Sequence, residues 1–198
     1  VEPAPLPGAG DIVITEILYD PHGPLAEDTA EWFEIYNRTE NDLRLDGCRI
    51  ADSANAEVLG RIDIPAGVRQ VFGRSRDLLV NGGIPIDHVF NFALNNGGDT
   101  ISLTCGPADA EVLIDSVTYD DGGDFPNAQR ASIALDPGAT DAVGNDDGAN
   151  WCLGQAVYFA EDGLPDDDHR GSPGNPNPAC PVPDVTVDWC RLQFPLDP

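Results

Sequence analysis

Residues 31–37 read Glu31-Trp32-Phe33-Glu34-Ile35-Tyr36-Asn37, and the order of those side chains is that of a β-strand. Successive side chains of an extended chain point to opposite faces, so Phe33 and Ile35 share one side while Trp32, Glu34 and Tyr36 share the other. Asn37 closes the run with a side chain that can bond nearby backbone and turn the chain. Working outward, comparable short runs occupy residues 12–19, 43–51, 58–64, 68–73, 88–94, 100–105, 112–119 and 130–135. Turn-forming clusters separate them, among them Pro21-His22-Gly23-Pro24, Asp46-Gly47, Pro65-Ala66-Gly67, Asn81-Gly82-Gly83 and Asn95-Asn96-Gly97-Gly98. Strands recurring about every ten residues, without helical patterns between them, indicate an all-β sandwich or barrel. Residues 12–19 are apolar on both sides, which suits a central strand. In 112–119 the set Leu113, Asp115, Val117 and Tyr119 is expected to point inward. Only 75–81 suits a helical turn.

Composition narrows the function. The 198 residues carry ten bases, all of them Arg, against 35 acids, for a formal net charge of −25. Such a surface repels nucleic acid and anionic lipid. The acidity is read first as a source of solubility; calcium binding or a saline habitat is the other reading. No run approaches the ~18 apolar residues of a membrane span. No leader-like segment opens the chain and Met is absent, so Val1 reads as an artificial or processed end. The five cysteines, Cys48, Cys105, Cys152, Cys180 and Cys190, show no CxxC spacing. Disulfides are therefore expected among Cys48, Cys105, Cys152 and Cys180, in an oxidising compartment, with Cys190 left over and the pairing open.

Candidate chemistry is sparse. His22, His88 and His169 are scattered, and no metalloprotease, nucleophile-elbow or phosphate-loop motif occurs. Glu16, Glu31 and Glu34 are the carboxylates that would serve a hydrolase, against a reading as exposed strand residues. The loops bearing Asp120, Asp121, Asp124, Asp146 and Asp147, with a further group at Asp162 and 166–168, offer oxygen donors for calcium without the spacing of a defined calcium loop. Trp32 and Tyr36 are candidate exposed aromatics for a sugar or protein; burial beneath residues 136–179 is the competing expectation. The sequon Asn37-Arg38-Thr39 is read as coincidental.

Several of these runs together resemble the lamin tail domain, a family shared by nuclear lamins and many exported bacterial proteins. Residues 12–19 resemble its opening strand and Glu31–Asn37 its E-W-(I/V)-E-(I/L)-Y-N strand. Residues 45–50, the Ile64-Pro65-Ala66-Gly67 turn, 95–103 and 114–119 are similar to its later segments, and Gly171-Ser172-Pro173-Gly174-Asn175-Pro176-Asn177 to the ending common in bacterial members. The resemblance covers about residues 11–178 and implies an immunoglobulin-like β-sandwich with a long irregular C-terminal segment, and no catalytic residues. The chain lacks the coiled-coil rod and basic surface of lamins, which speaks against a chromatin role. The expected layout is a Pro/Gly linker at 1–10, the sandwich at 11–179, and a linker or further domain from 180 to 198. The expected function is a non-catalytic interaction or structural module of an exported, bacterial multidomain protein that is extracellular, periplasmic or on the cell surface. It would bind a protein or cell-surface component and need no cofactor, save calcium if the acidic loops load. A calcium-supported carbohydrate-binding module and a hydrolase are the alternatives.

Overall fold

A computed structural model describes residues 3–160 and 168–182. In chain order the elements are β1 (Ile12–Leu18), α1 (Glu27–Ala30), β2 (Trp32–Asn37), β3 (Leu43–Arg44), β4 (Arg49–Ala51), β5 (Ala56–Val58), β6 (Asp63–Ile64), β7 (Arg69–Gly73), β8 (His88–Val89), β9 (Gly98–Cys105), β10 (Val112–Asp120), β11 (Ile133–Leu135), β12 (Trp151–Leu153), β13 (Val157–Phe159) and β14 (His169–Arg170). A six-stranded sheet runs β12-β11-β1-β2-β7-β8 and a four-stranded sheet β10-β9-β4-β5, with small hairpins β3-β6 and β13-β14. β1 lies between β11 and β2 and every one of its residues is buried, as its two-sided apolarity requires. No helix among the described residues is long and apolar enough to cross a membrane.

The inward faces of both sheets meet in one apolar core that joins Ile17, Phe33, Ile35 and Phe72 to Ile50, Ile101, Leu103, Val117 and Tyr119. Aromatic rings organise it: Tyr19 stacks on Tyr119 with centroids 4.7 Å apart, and Phe33 packs against Phe72 and Phe90, each at 5.2 Å. Such pairs add roughly 0.5–1.5 kcal/mol beyond area burial. The two tyrosine hydroxyls stay satisfied, Tyr19 donating to the Pro126 carbonyl and Tyr119 to that of Asn95. Burial and neighbouring acids push both phenols above their ordinary range.

Three expectations are corrected. Residues 43–51 form two strands, because Asp46-Gly47 turns the chain, with Gly47 at φ 76° in the left-handed region. β3 then pairs with β6 while β4 enters the four-stranded sheet; the run 58–64 divides in the same way. Leu113 is 52% exposed and Ile114 is buried in its place, since the β10–β9 register shifts between Leu113 and Asp115 and a bulge moves the following side chains to the other face. Residues 75–81 close a single turn in which the Val80 and Asn81 N–H groups both donate to the Asp77 carbonyl at 3.1 Å; the helical segments among the described residues are the four-residue α1 and three-residue 3-10 turns at Pro137–Ala139, Gly144–Asp146 and Gly148–Asn150.

Both ends of the described chain engage the sandwich. Pro7 is buried, Arg44 donates its N–H to the Pro5 carbonyl at 3.0 Å, and Gly10 to that of Ile114 at 2.8 Å. Cys48 bonds Cys105 beside the β4–β9 ladder, and Cys152 on β12 bonds Cys180. Cys190 and the acids at 162, 166 and 167 lie outside the described residues.

Candidate functional site

Alternation places Glu34 on the face of β2 that turns away from the main core. In the β1–β2 ladder its partner is Glu16, so two carboxyls sit side by side on the outer face of the six-stranded sheet. Both are fully buried, which corrects their reading as exposed strand residues. The cover is residues 171–177, the Gly-Ser-Pro-Gly-Asn-Pro-Asn run, which crosses that face as a strap. Glu16 Oε1 accepts from Ser132 Oγ at 2.5 Å and from the Ser172 N–H at 2.8 Å, and its Oε2 lies 3.1 Å from Ser172 Oγ. Glu34 accepts from Thr15 Oγ1 at 2.7 Å and from the Gly174 N–H at 2.8 Å, and Arg69 Nε stands 3.2 Å away as its counter-ion. Asn177 completes the closure by donating to the carbonyls of Thr15 at 2.7 Å and Leu135 at 3.0 Å. At Gly171 an added Cβ would come within 2.9 Å of both Glu16 and Ser132 and 3.1 Å of Trp32, so only glycine lets the strap lie this close.

Desolvation dominates the titration of these groups. It pushes Glu16 up to about 7 and, with the Glu16 charge adding to it, Glu34 up to about 8. Glu31, also buried, is pushed up to about 7 by burial while it accepts the Leu94 N–H at 3.1 Å. Asp115 is pushed up to about 6 by burial; it accepts the Ile14 N–H at 2.6 Å and Asn145 Nδ2 at 2.7 Å. Each of these acids ties a strand to a distant segment. Glu16 and Glu34 are sealed beneath the strap.

Trp32 is buried, not a platform. Tyr158 of β13 packs on it edge-on at 6.3 Å, within a second small cluster with Leu18, Val71 and Ile84. Tyr36 is half-buried, with the Arg69 guanidinium 4.1 Å over its ring. Asn37 is buried too: its Nδ2 donates to the carbonyls of Asn41, Ile64 and Pro65 at 2.9–3.1 Å, and its Oδ1 accepts from Thr39. The sequon is therefore closed in the folded protein. Asp99 accepts the N–H of Asn95, as its position after the Gly-rich turn suggests, and also that of Ser53.

Three of the five calcium candidates accept hydrogen bonds within their own loops. Asp120 accepts the N–H groups of Gly123, Asp124 and Phe125, which hold its carboxyl below the usual range; Asp121 accepts from Asn127, and Asp147 from the Ala149 N–H. Asp124, Asp146 and Asp147 border one shallow depression. Among the described residues no three His, Cys, Asp or Glu side chains gather as a metal-ligand set.

A different surface stands out against the acidic background. Residues 82–85, 156–158 and the strap enclose a groove of about 440 Å³, and none of its lining residues is charged. Ile84, Pro85, Val157, Tyr158, Pro173, Pro176 and Pro178 form its walls. Val157 is 47% exposed there, and Leu79, 91% exposed, stands in the loop leading into it. The groove, Ser132 and Arg69 escaped the reading from sequence, and Ser172 and Asn177 entered it only as members of a motif, without a partner. The Gly-Ser-Pro-Gly-Asn-Pro-Asn run and the two glutamates were each visible, but nothing in the pattern joins residues 140 positions apart.

Compared with known families, residues 5–121, more than half of the chain, match a model described as the Lamin Tail Domain. The strap and β11–β14 lie beyond the matched stretch. No curated protein and no solved structure matches the chain.

Proposed function

The chain belongs to the lamin tail domain family, and on that premise we propose that it is a non-catalytic interaction module of an exported protein, holding a protein or cell-surface partner through apolar contacts in the groove between residues 82–85, β13 and the strap. The family is an immunoglobulin-like, non-enzymatic one, and sites on such folds, not the folds themselves, carry function. One observation supports the choice of surface: on a protein of net charge −25, this groove is free of charged lining residues. Burying it against a partner strands no ionised group, whereas acidic surface resists desolvation. The partner is accordingly an apolar segment of another protein rather than nucleic acid. Two disulfides fit an oxidising compartment.

Arrayed peptides and glycans, each probed with and without calcium, test the proposal. Expected is saturable binding to apolar peptides, weakened at least tenfold by Val157→Asp and indifferent to calcium. Glycan binding that requires calcium and survives Val157→Asp would favour the carbohydrate-binding alternative. Turnover of an ester, phosphoester or glycoside panel, abolished by Glu34→Gln, would establish a hydrolase instead.

A further inference from the structure

The hydrogen atoms available around Glu16 do not suffice if both buried carboxyls are ionised. Asn177 Nδ2 spends its two hydrogens on the carbonyls of Thr15 and Leu135, which fixes the orientation of the amide and leaves Oδ1 2.8 Å from Ser172 Oγ. An amide oxygen only accepts, so the single hydroxyl hydrogen of Ser172 goes to Asn177. Ser172 Oγ also lies 3.1 Å from Glu16 Oε2, and that contact then needs a hydrogen from the carboxyl. Glu16 Oε1, by contrast, already receives two donors, Ser132 Oγ and the Ser172 N–H. One oxygen takes two donors and the other faces a lone pair, the division expected of a neutral carboxylic acid. Glu34 is surrounded differently: Thr15 Oγ1, the Gly174 N–H and the Arg69 ion pair all serve a negative charge.

We infer that Glu16 and Glu34 hold one proton between them, seated on Glu16 Oε2, and that this proton closes a clasp fastening residues 171–177 to the outer face of the sheet. Burial of both groups and their mutual repulsion raise both carboxyls, in keeping with a pair that titrates as a unit; the donors gathered on Glu34 and the acceptor facing Glu16 Oε2 decide which of the two keeps the proton. The charged and titratable groups facing it are Arg69 from β7, which stabilises one negative charge, and the Tyr158 hydroxyl from β13, which burial keeps neutral. His169 of β14 stands behind Tyr158, ring centroids 6.2 Å apart; Ser132, just before β11, and Ser172 and Asn177 of the strap are uncharged. When alkaline solution takes the Glu16 proton, a second negative charge forms beside Glu34 with a single guanidinium to answer it, and the Ser172 hydroxyl is left between two acceptors. The strap then loosens between Gly171 and Asn177, while the Cys152–Cys180 bond keeps its far end tethered. Because the strap is one wall of the uncharged groove, that groove opens with it. The clasp itself does not depend on what the groove binds.

Amide protection of Ser172 and Gly174, followed by hydrogen exchange at pH 6 and pH 9 and corrected for intrinsic rates, tests the clasp. In the wild type it falls at least tenfold at pH 9. In Glu16→Gln, whose amide donates to Ser172 Oγ at every pH, it stays level. Level protection in the wild type, or an unchanged fall in Glu16→Gln, would overturn the inference. Should Glu16→Gln fail to fold, carbon-13 titration of wild-type glutamate carboxyls decides: a Glu16 or Glu34 midpoint between pH 6 and 9 is expected, and midpoints all below 5.5 reject it.

Discussion

Asn37 ends β2 and uses its whole amide to hold the chain together there. Its nitrogen reaches two segments, 41 and 64–65, and its oxygen takes Thr39. Removing it leaves buried carbonyls without donors, and each unsatisfied group costs about 1–3 kcal/mol. Asn37→Ala is therefore expected to lower stability by about 2–4 kcal/mol in urea melts, with an unchanged fold by circular dichroism; a loss under about 0.5 kcal/mol would show the amide to be dispensable. The part played by Asn37 was legible because it is local: an Asn at a strand end bonds backbone a few residues away. That of Glu34, three residues earlier, was not. A polar residue alternating with apolar ones signals a face away from the core, and nothing local says whether water or protein covers that face. Here the cover comes from Gly174, 140 residues along.

Among the elements, β12 and the strap are those whose placement rests most on a covalent tie. β12 is a three-residue edge strand paired only with β11, and too short to hold a distant segment by hydrogen bonds alone. The Cys152–Cys180 bond spans 28 residues of sequence, a closure expected to contribute about 2–4 kcal/mol. Replacing both cysteines with serine should destabilise by that amount and speed proteolysis within 171–180, with peptide mapping locating the cuts; cuts confined to residues outside that window would argue against it. The strands 12–18, 32–37, 98–105 and 112–120 were readable because long runs with period two leave few alternatives. Not all of the short ones were. β3 and β4 read as one strand because pattern alone does not reveal that the chain changes sheets at Asp46-Gly47, and β12 shows in sequence only as the apolar island Trp151-Cys152-Leu153, too short for a period of two to declare a strand.

The molecule as a whole binds protons on folding. Glu16, Glu31 and Glu34 move up from 4.5 to about 7, 7 and 8, and Asp115 from 3.8 to about 6. Groups raised in the folded state contribute stability that is complete below their unfolded values and lost as the pH climbs from those through the folded ones, here between about pH 4 and pH 8. Asp120 and Asp141 act in the opposite sense, since backbone N–H groups lower both, and their contribution disappears only as pH falls toward and below their ordinary 3.8. The net charge of −25 adds self-repulsion that salt screens. Thermal melts should therefore place Tm higher at pH 5.5 than at pH 8.5, by about 5 °C or more, with the gap narrowing in molar salt. Equal Tm at the two pH values would mean that these acids are ionised in the folded protein.

Strand alternation, turn chemistry and the repeated motif segments, each legible within a dozen residues, were enough to determine an all-β immunoglobulin-like sandwich of the lamin tail family, its central strand and its acidic surface. Which cysteines pair, which acids are buried, and where an uncharged groove lies were settled only when segments far apart in sequence came together, 28 and 57 positions for the disulfides and 140 for Glu34 and the strap. The physical reason is that burial is a property of what covers a side chain. Local pattern reports the face a residue takes, while desolvation, the shared proton and the groove arise from the segment that closes over it.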